Sequence, residues 1–208
     1  MIRLSATISG LSNNETISID RRNIVSLNYK FVSRSNNSIP SFGIISSSGS
    51  IDFKDTDRKI EDYANKGFLV GDLSVVISLE NTITKKKKSL SGIQTDNWRY
   101  DTENRTANVS LTDGLEDWQQ IQVDNVNLSA ETTAYKFYES VLIAKQTPSK
   151  YIFKELDATT KAYLESIVIK YPYLDGGSLW SQWVKFCEAF GVYIYKNEDG
   201  LIVCSNDY

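Results

Sequence analysis

Several groups of residues have the types and spacing that chemistry would need. Asp52, Asp55 and Asp57 form the densest acidic cluster. A hard cation there would want oxygen ligands converging on one point, and a calcium loop would add a glycine and a distal bidentate acid. Neither spacing is present, and capping of the helix that follows accounts for Asp55 and Asp57. Glu116 and Asp117 would work as an acid and base pair only if both faced one substrate, but adjacent helical residues diverge by about 100°. Asp175-Gly-Gly-Ser178 leads into a helix N-terminus, a place that attracts anions. It lacks the longer glycine pattern and the lysine of a phosphate loop, so it reads as a turn plus a cap. Lys85 to Lys88 is a run of like charge, but a phosphate site would want further basic residues where Asp96 and Asp101 stand. It reads as a solvated hairpin tip. Trp98, Tyr100 and Trp118 would line a sugar-binding contact surface, although aromatics flanking a β-core commonly serve packing.

The composition narrows the chemistry further. The 208 residues contain no histidine, which removes the commonest general base at neutral pH and the commonest zinc ligand. No catalytic residue, metal or cofactor is expected. With a net charge of −3 the chain lacks the cationic field that nucleic acid or an anionic membrane requires, so neither is expected as a partner. The N-terminal Met1-Ile-Arg-Leu-Ser turns polar too soon for a signal peptide, and no apolar run approaches the length of a membrane span. Cys187 on an apolar helix face and Cys204 in a strand read as buried free thiols.

The elements that would position these residues follow from periodicity. Ile2, Leu4, Ala6 and Ile8 alternate with polar neighbours as a half-buried strand, and Thr16 to Ile19 starts a return strand. In Ile24 to Phe31 strict alternation sets Val25, Leu27, Tyr29 and Phe31 on one face. Ser33 to Pro40 reads as an exposed loop, with Phe42 to Ser46 and Ser50 to Phe53 as two short strands around Ser47-Ser-Gly-Ser. A helix spans Lys54 to Gly67, followed by a strand from Leu73 to Leu79. The stretch around Trp98 and Tyr100 predicts a strand, a turn over Asp101 to Asn104, and a second strand whose Ala107, Val109 and Leu111 share a face. Thr112 or Asp113 would then cap a short helix carrying Leu115 and Trp118. Beyond Val123 three helices are predicted. The first is capped near Ser129 and Thr132 and ended by Pro148. The second is capped by Asp157 and runs through Ile167 and Val168 to Tyr171-Pro172. The third is capped by Ser178, carries the stripe Leu179, Trp183, Phe186 and Phe190, and stops at Gly191. A hairpin, Val192 to Tyr195 and Leu201 to Cys204 around Asn197 to Gly200, closes the chain. Its last strand is expected to pair with another segment or to belong to a longer product. The fold class expected is α+β. A β-rich, barrel-like domain with a short helix insertion covers 1–125, and a helical segment with the terminal hairpin covers 126–208.

Three stretches together carry a resemblance: Ser48 to Ala64, Asp96 to Asp101 running into Val109 to Gln119, and Ser178 to Gly200. They resemble the baseplate-hub and tail-tip proteins of tailed bacteriophages, over roughly residues 45 to 205. The resemblance implies β-barrel domains with small α+β insertions, and copies that assemble into a ring closing the tail tube. It carries no catalytic signature to these positions. It implies a structural virion protein in the phage tail, made in the host bacterial cytoplasm, whose partners are copies of itself in a trimer or other ring and neighbouring tail proteins. A carbohydrate-binding module using Trp98, Tyr100 and Trp118 is the alternative. A hydrolase would need two carboxylates converging in one pocket.

Overall fold

The computed structural model describes residues 2–30 and 42–206; the loop expected over Ser33 to Pro40 lies outside them. The fold is α+β, and the chain forms two compact units. Among the described residues one comprises 2–30, 47–114 and 198–200, and the other 42–46, 115–197 and 201–206.

The first unit is built by apolar alternation. Its strands are β1 (Ile2–Ser9), β2 (Ile17–Ile19) and β3 (Ile24–Lys30); β4 (Gly43–Ile45) belongs to the other unit. Then come β5 (Ser48–Lys54), β6 (Ser74–Asn81), β7 (Lys87–Asp101) and β8 (Thr106–Thr112). They form an antiparallel seven-stranded sheet in the order β2-β1-β6-β7-β8-β5-β3. The terminal strands β2 and β3 do not pair with each other, so the sheet is open and the barrel-like closure expected from sequence is not reached. In β8 every second residue is buried, and Ala107, Val109 and Leu111 face the core as the pattern requires. Strand β3 departs from strict alternation: a bulge between Ile24 and Ser26 shifts the parity. Ile24 is therefore buried and Val25 exposed, while Leu27 and Tyr29 pack against the core.

Helix α1 (Lys59–Asn65) covers part of this core with Ile60 and Tyr63. It starts later than the sequence suggests because Asp55 to Arg58 forms a turn, Arg58 N–H donating to the Asp55 carbonyl at 3.2 Å. Gly67 follows with φ +69°, the left-handed exit that an L side chain resists.

The second unit packs helices on small sheets. A 3-10 turn, Glu116–Gln119, leads to β9 (Gln122–Val123), β10 (Val126–Asn127) and β11 (Thr132–Thr133). Helix α2 (Ala134–Phe137) widens directly into a π-helix, Tyr138–Gln146. Its cap is Thr133, whose hydroxyl accepts from the Lys136 N–H at 3.2 Å, and not Ser129 or Thr132. Thr132 and Thr133 are held in β11 by pairing with β12 (Val168–Ile169). That pairing also shortens α3 (Ala158–Ser166): the β-branched run Ile167-Val168-Ile169 leaves the helix for extended backbone, and the Ile167 carbonyl accepts from Ala134 N–H.

β13 (Tyr173–Leu174) pairs with β10, and β14 (Gly177–Ser178) with β9. Helix α4 (Leu179–Phe190) ends at Gly191 with φ +61°, as its position predicts. β15 (Tyr193–Lys196) and β16 (Ile202–Ser205) form the terminal hairpin. β15 also pairs in parallel with β4, so Phe42 to Ser46 does not form a hairpin with β5.

The core of this unit is aromatic. Trp183 lies 5.3 Å from Phe153, 5.8 Å from Trp118 and 5.8 Å from Tyr138 between ring centroids. Cys187 and Cys204 are buried free thiols in the same cluster. Burial pushes both thiols up, Cys204 to about 12, so neither ionises near neutrality. Ellman's reagent at pH 8 is expected to find no reactive thiol in the native protein and two after unfolding in guanidinium; a fast native reaction would contradict this packing.

Candidate functional site

The acidic cluster is dispersed by the strand that carries it. Asp52 points from β5 to its sheet neighbours, accepting from the Ser26 hydroxyl and the Asn108 carboxamide. Asp55 is 2% exposed and turns inward. Both its oxygens accept from Ile60 N–H at 3.1 Å, and one also accepts from Glu61 N–H at 3.0 Å. It thereby satisfies two first-turn amides of α1, the capping role expected for it, from farther upstream than an ordinary cap. Asp57 is exposed and accepts more weakly from Lys59 N–H, at 3.4 Å. The three carboxylates do not converge, and among the described residues no group of three or more Cys, Asp or Glu is arranged to hold a metal ion.

The remaining candidates are bound into turns and caps. Glu116 accepts from the Ser46 hydroxyl at 3.0 Å. Asp113 is buried, its carboxylate accepts from Ser47 N–H at 2.6 Å, and its own N–H donates to the Ser47 carbonyl at 3.0 Å. The Thr112 hydroxyl accepts from Gly114 N–H at 3.2 Å.

At Asp175-Gly-Gly-Ser178 the amides that would meet an anion are occupied. Ser181 N–H bonds the Ser178 hydroxyl at 3.1 Å, and Leu179 N–H bonds the Ile121 carbonyl at 2.7 Å. The Gly176 N–H is taken by Asn125. Buried Gln182 staples the loop from below, donating to the Asp124 and Asp175 carbonyls, each at 2.9 Å. The lysine run forms a hairpin tip in which Asn81 accepts from Ile83 and Thr84 N–H, each at 3.0 Å, and Lys88 pairs with Glu198 at 2.7 Å.

The aromatic candidates separate as well. Trp118 is 0% exposed and presents no surface. Trp98 and Tyr100 are half-buried on the core face of β7, with Trp98 edge-on to Phe53 at 6.5 Å. Desolvation, with the Asp55 carboxylate beside it, pushes the Tyr100 hydroxyl up to about 12. Surface aromatics that the sequence reading passed over lie elsewhere, at Tyr171 and Tyr173. The signal was present in the alternation Tyr171-Pro-Tyr173-Leu, where Pro172 and Leu174 are buried.

A groove of about 740 Å³ lies beside the π-helix, with Tyr135, Tyr138, Phe153 and Leu156 in its wall. Lys161 lies 4.8 Å above the Tyr135 ring, whose hydroxyl donates to Glu139 at 3.0 Å. Asp157, at the N-terminus of α3, accepts from the Thr160 hydroxyl at 2.7 Å and from Thr159 and Thr160 N–H. These bonds, led by the Thr160 hydroxyl, hold its carboxyl below the ordinary aspartate value. Because the folded value is lowered, this cap stabilises above the unfolded aspartate pKa, and its contribution is lost as pH falls through the folded value. Asp157→Asn is expected to flatten the fall in thermal midpoint between pH 5 and pH 2; an unchanged slope would show that the cap is not linked to acid stability.

The fold and these residues together define an α+β protein whose polar side chains are spent on caps and turns. No family model matches the sequence, and no curated protein matches it. Among solved structures, the fold is similar to the 43 kDa tail protein of prophage MuSo2 from Shewanella oneidensis. That likeness has a TM-score of 0.48 at 11% sequence identity and covers 98% of this chain and 53% of that one. This chain therefore spans about half the length of that protein.

Proposed function

We propose that this chain is a structural component of a phage tail tip or baseplate hub that works by subunit contacts and performs no catalytic step. The observation that carries the reading is the resemblance of Ser48 to Ala64, of Asp96 to Asp101 running into Val109 to Gln119, and of Ser178 to Gly200 to that family. The placement of the polar residues supports it. Asp55, Asp113, Asp157 and Gln182, the side chains most able to act chemically, are each committed to backbone partners. The open sheet adds a second support, because strand edges offer backbone groups to other chains. Copies of the chain would close a trimer or similar ring, and neighbouring tail proteins would seat on it.

Mass spectrometry and antibody labelling of purified virions test this. The protein is expected in the particle, with label at the distal end of the tail. Its absence from virions, with presence only in infected-cell extract, would overturn the reading.

A further inference from the structure

Tyr171 and Tyr173 are 90% and 55% exposed, and the residues that alternate with them, Pro172 and Leu174, are buried. Both residues are therefore on the outward side of the segment, Tyr171 at a bend and Tyr173 in β13. The segment is fixed, since β13 pairs with β10 and Leu128 N–H donates to the Pro172 carbonyl at 3.0 Å. Asn127 is the register partner of Tyr173, which sets an exposed carboxamide beside that ring. Asp175 follows two residues on, paired with Lys185 at 2.9 Å. A hydrogen bond to Asp175 raises the Tyr173 hydroxyl above its ordinary value.

We propose that Tyr171 and Tyr173 form a stacking platform for a chain of equatorially linked hexopyranose rings, with Asn127, Asp175 and Lys185 meeting the sugar hydroxyls. Such sugars present flat faces of axial C–H groups, which cover aromatic rings, and a rim of hydroxyls that both donate and accept. The carboxamide supplies both functions, the carboxylate accepts and the ammonium donates. Competing occupants fit less well. The core of a protein interface is depleted in lysine and aspartate, whereas both flank this tyrosine pair. Single-stranded nucleic acid stacks on aromatics too, but it tracks a cationic groove, and here a carboxylate stands beside the ring on a chain of net charge −3. The site uses none of Trp98, Tyr100 and Trp118, and it does not depend on how subunits assemble.

Calorimetric titration of the full chain with cellohexaose, with chitohexaose and with an oligothymidylate tests the proposal. Saturable binding of at least one hexasaccharide is expected. Tyr171→Ala and Tyr173→Ala should each weaken it by up to about ten-fold, at an unchanged thermal midpoint. No hexasaccharide binding at millimolar concentration would overturn the proposal, as would variants that bind like the parent or binding of the oligothymidylate alone. A double variant that changes the mass in solution without any sugar binding would overturn it in favour of a protein contact.

Discussion

Replacing Trp183 with alanine is expected to cost about 3–5 kcal/mol of unfolding free energy, the range for emptying a fully buried large aromatic position. Trp183 is 0% exposed, and it meets Phe153 nearly parallel at 5.3 Å and Tyr138 edge-on at 5.8 Å. Its indole N–H donates to the Thr147 hydroxyl at 3.1 Å, and that hydroxyl donates to the Leu142 carbonyl at 2.7 Å. The substitution therefore opens a cavity and removes the group that ties the end of the π-helix to the core. A protein of this size has roughly 5–15 kcal/mol to lose, so the change consumes a large share of it. The midpoint should fall by roughly 6–20 °C. Trp183→Phe keeps most of the packing and loses the hydrogen bond, and should cost about 1–2 kcal/mol. Urea unfolding followed by near-ultraviolet circular dichroism measures both variants. An alanine variant within 1 kcal/mol of the parent would mean that Trp183 is not the centre of this core.

Asp55→Ala is the second large effect, at about 2–5 kcal/mol. It strips the acceptor from Ile60 and Glu61 N–H, and each buried donor left without a partner costs about 1–3 kcal/mol. Helix α1 is only seven residues long, too short to hold itself, so its amides should exchange faster by hydrogen–deuterium measurement. Asp55→Asn keeps one oxygen and should retain part of the protection. The same experiment separates a cap from a metal ligand. A cap is indifferent to added calcium, whereas a ligand would make the parent, and not the variant, more stable as calcium rises. Calcium-dependent stabilisation of the parent would contradict the capping role.

What could be read from sequence was local. Ala107, Val109 and Leu111 announced their strand by alternation, and Ser178, Asp157 and Gly191 announced helix ends by caps whose partners lie within a few residues. Gln119 and the residues before it gave the short turn but not its closure, because Asp113 reaches Ser47, 66 residues away in the chain. The parallel pairing of β4 with β15 was equally hidden, since neither strand's composition encodes a partner that distant. In β3 the bulge after Ile24 buried Ile24 and exposed Val25 while Leu27 and Tyr29 kept the core face, a one-residue change that alternation by itself does not register. Of the two roles open to Trp118, contact surface or packing, the second holds, because Phe153, Tyr151 and Trp183 from distant positions enclose it. Tyr171 was passed over because Tyr171-Pro172 reads first as a helix stop.

On the proposed reading this chain works through surfaces it offers to other copies. Sedimentation of the 208-residue chain across a hundred-fold concentration range decides the matter. A species of three or more copies that grows with concentration and sharpens into one ring-sized mass is the predicted result. A monomer at every concentration, unchanged by added tail-tube protein, would contradict it.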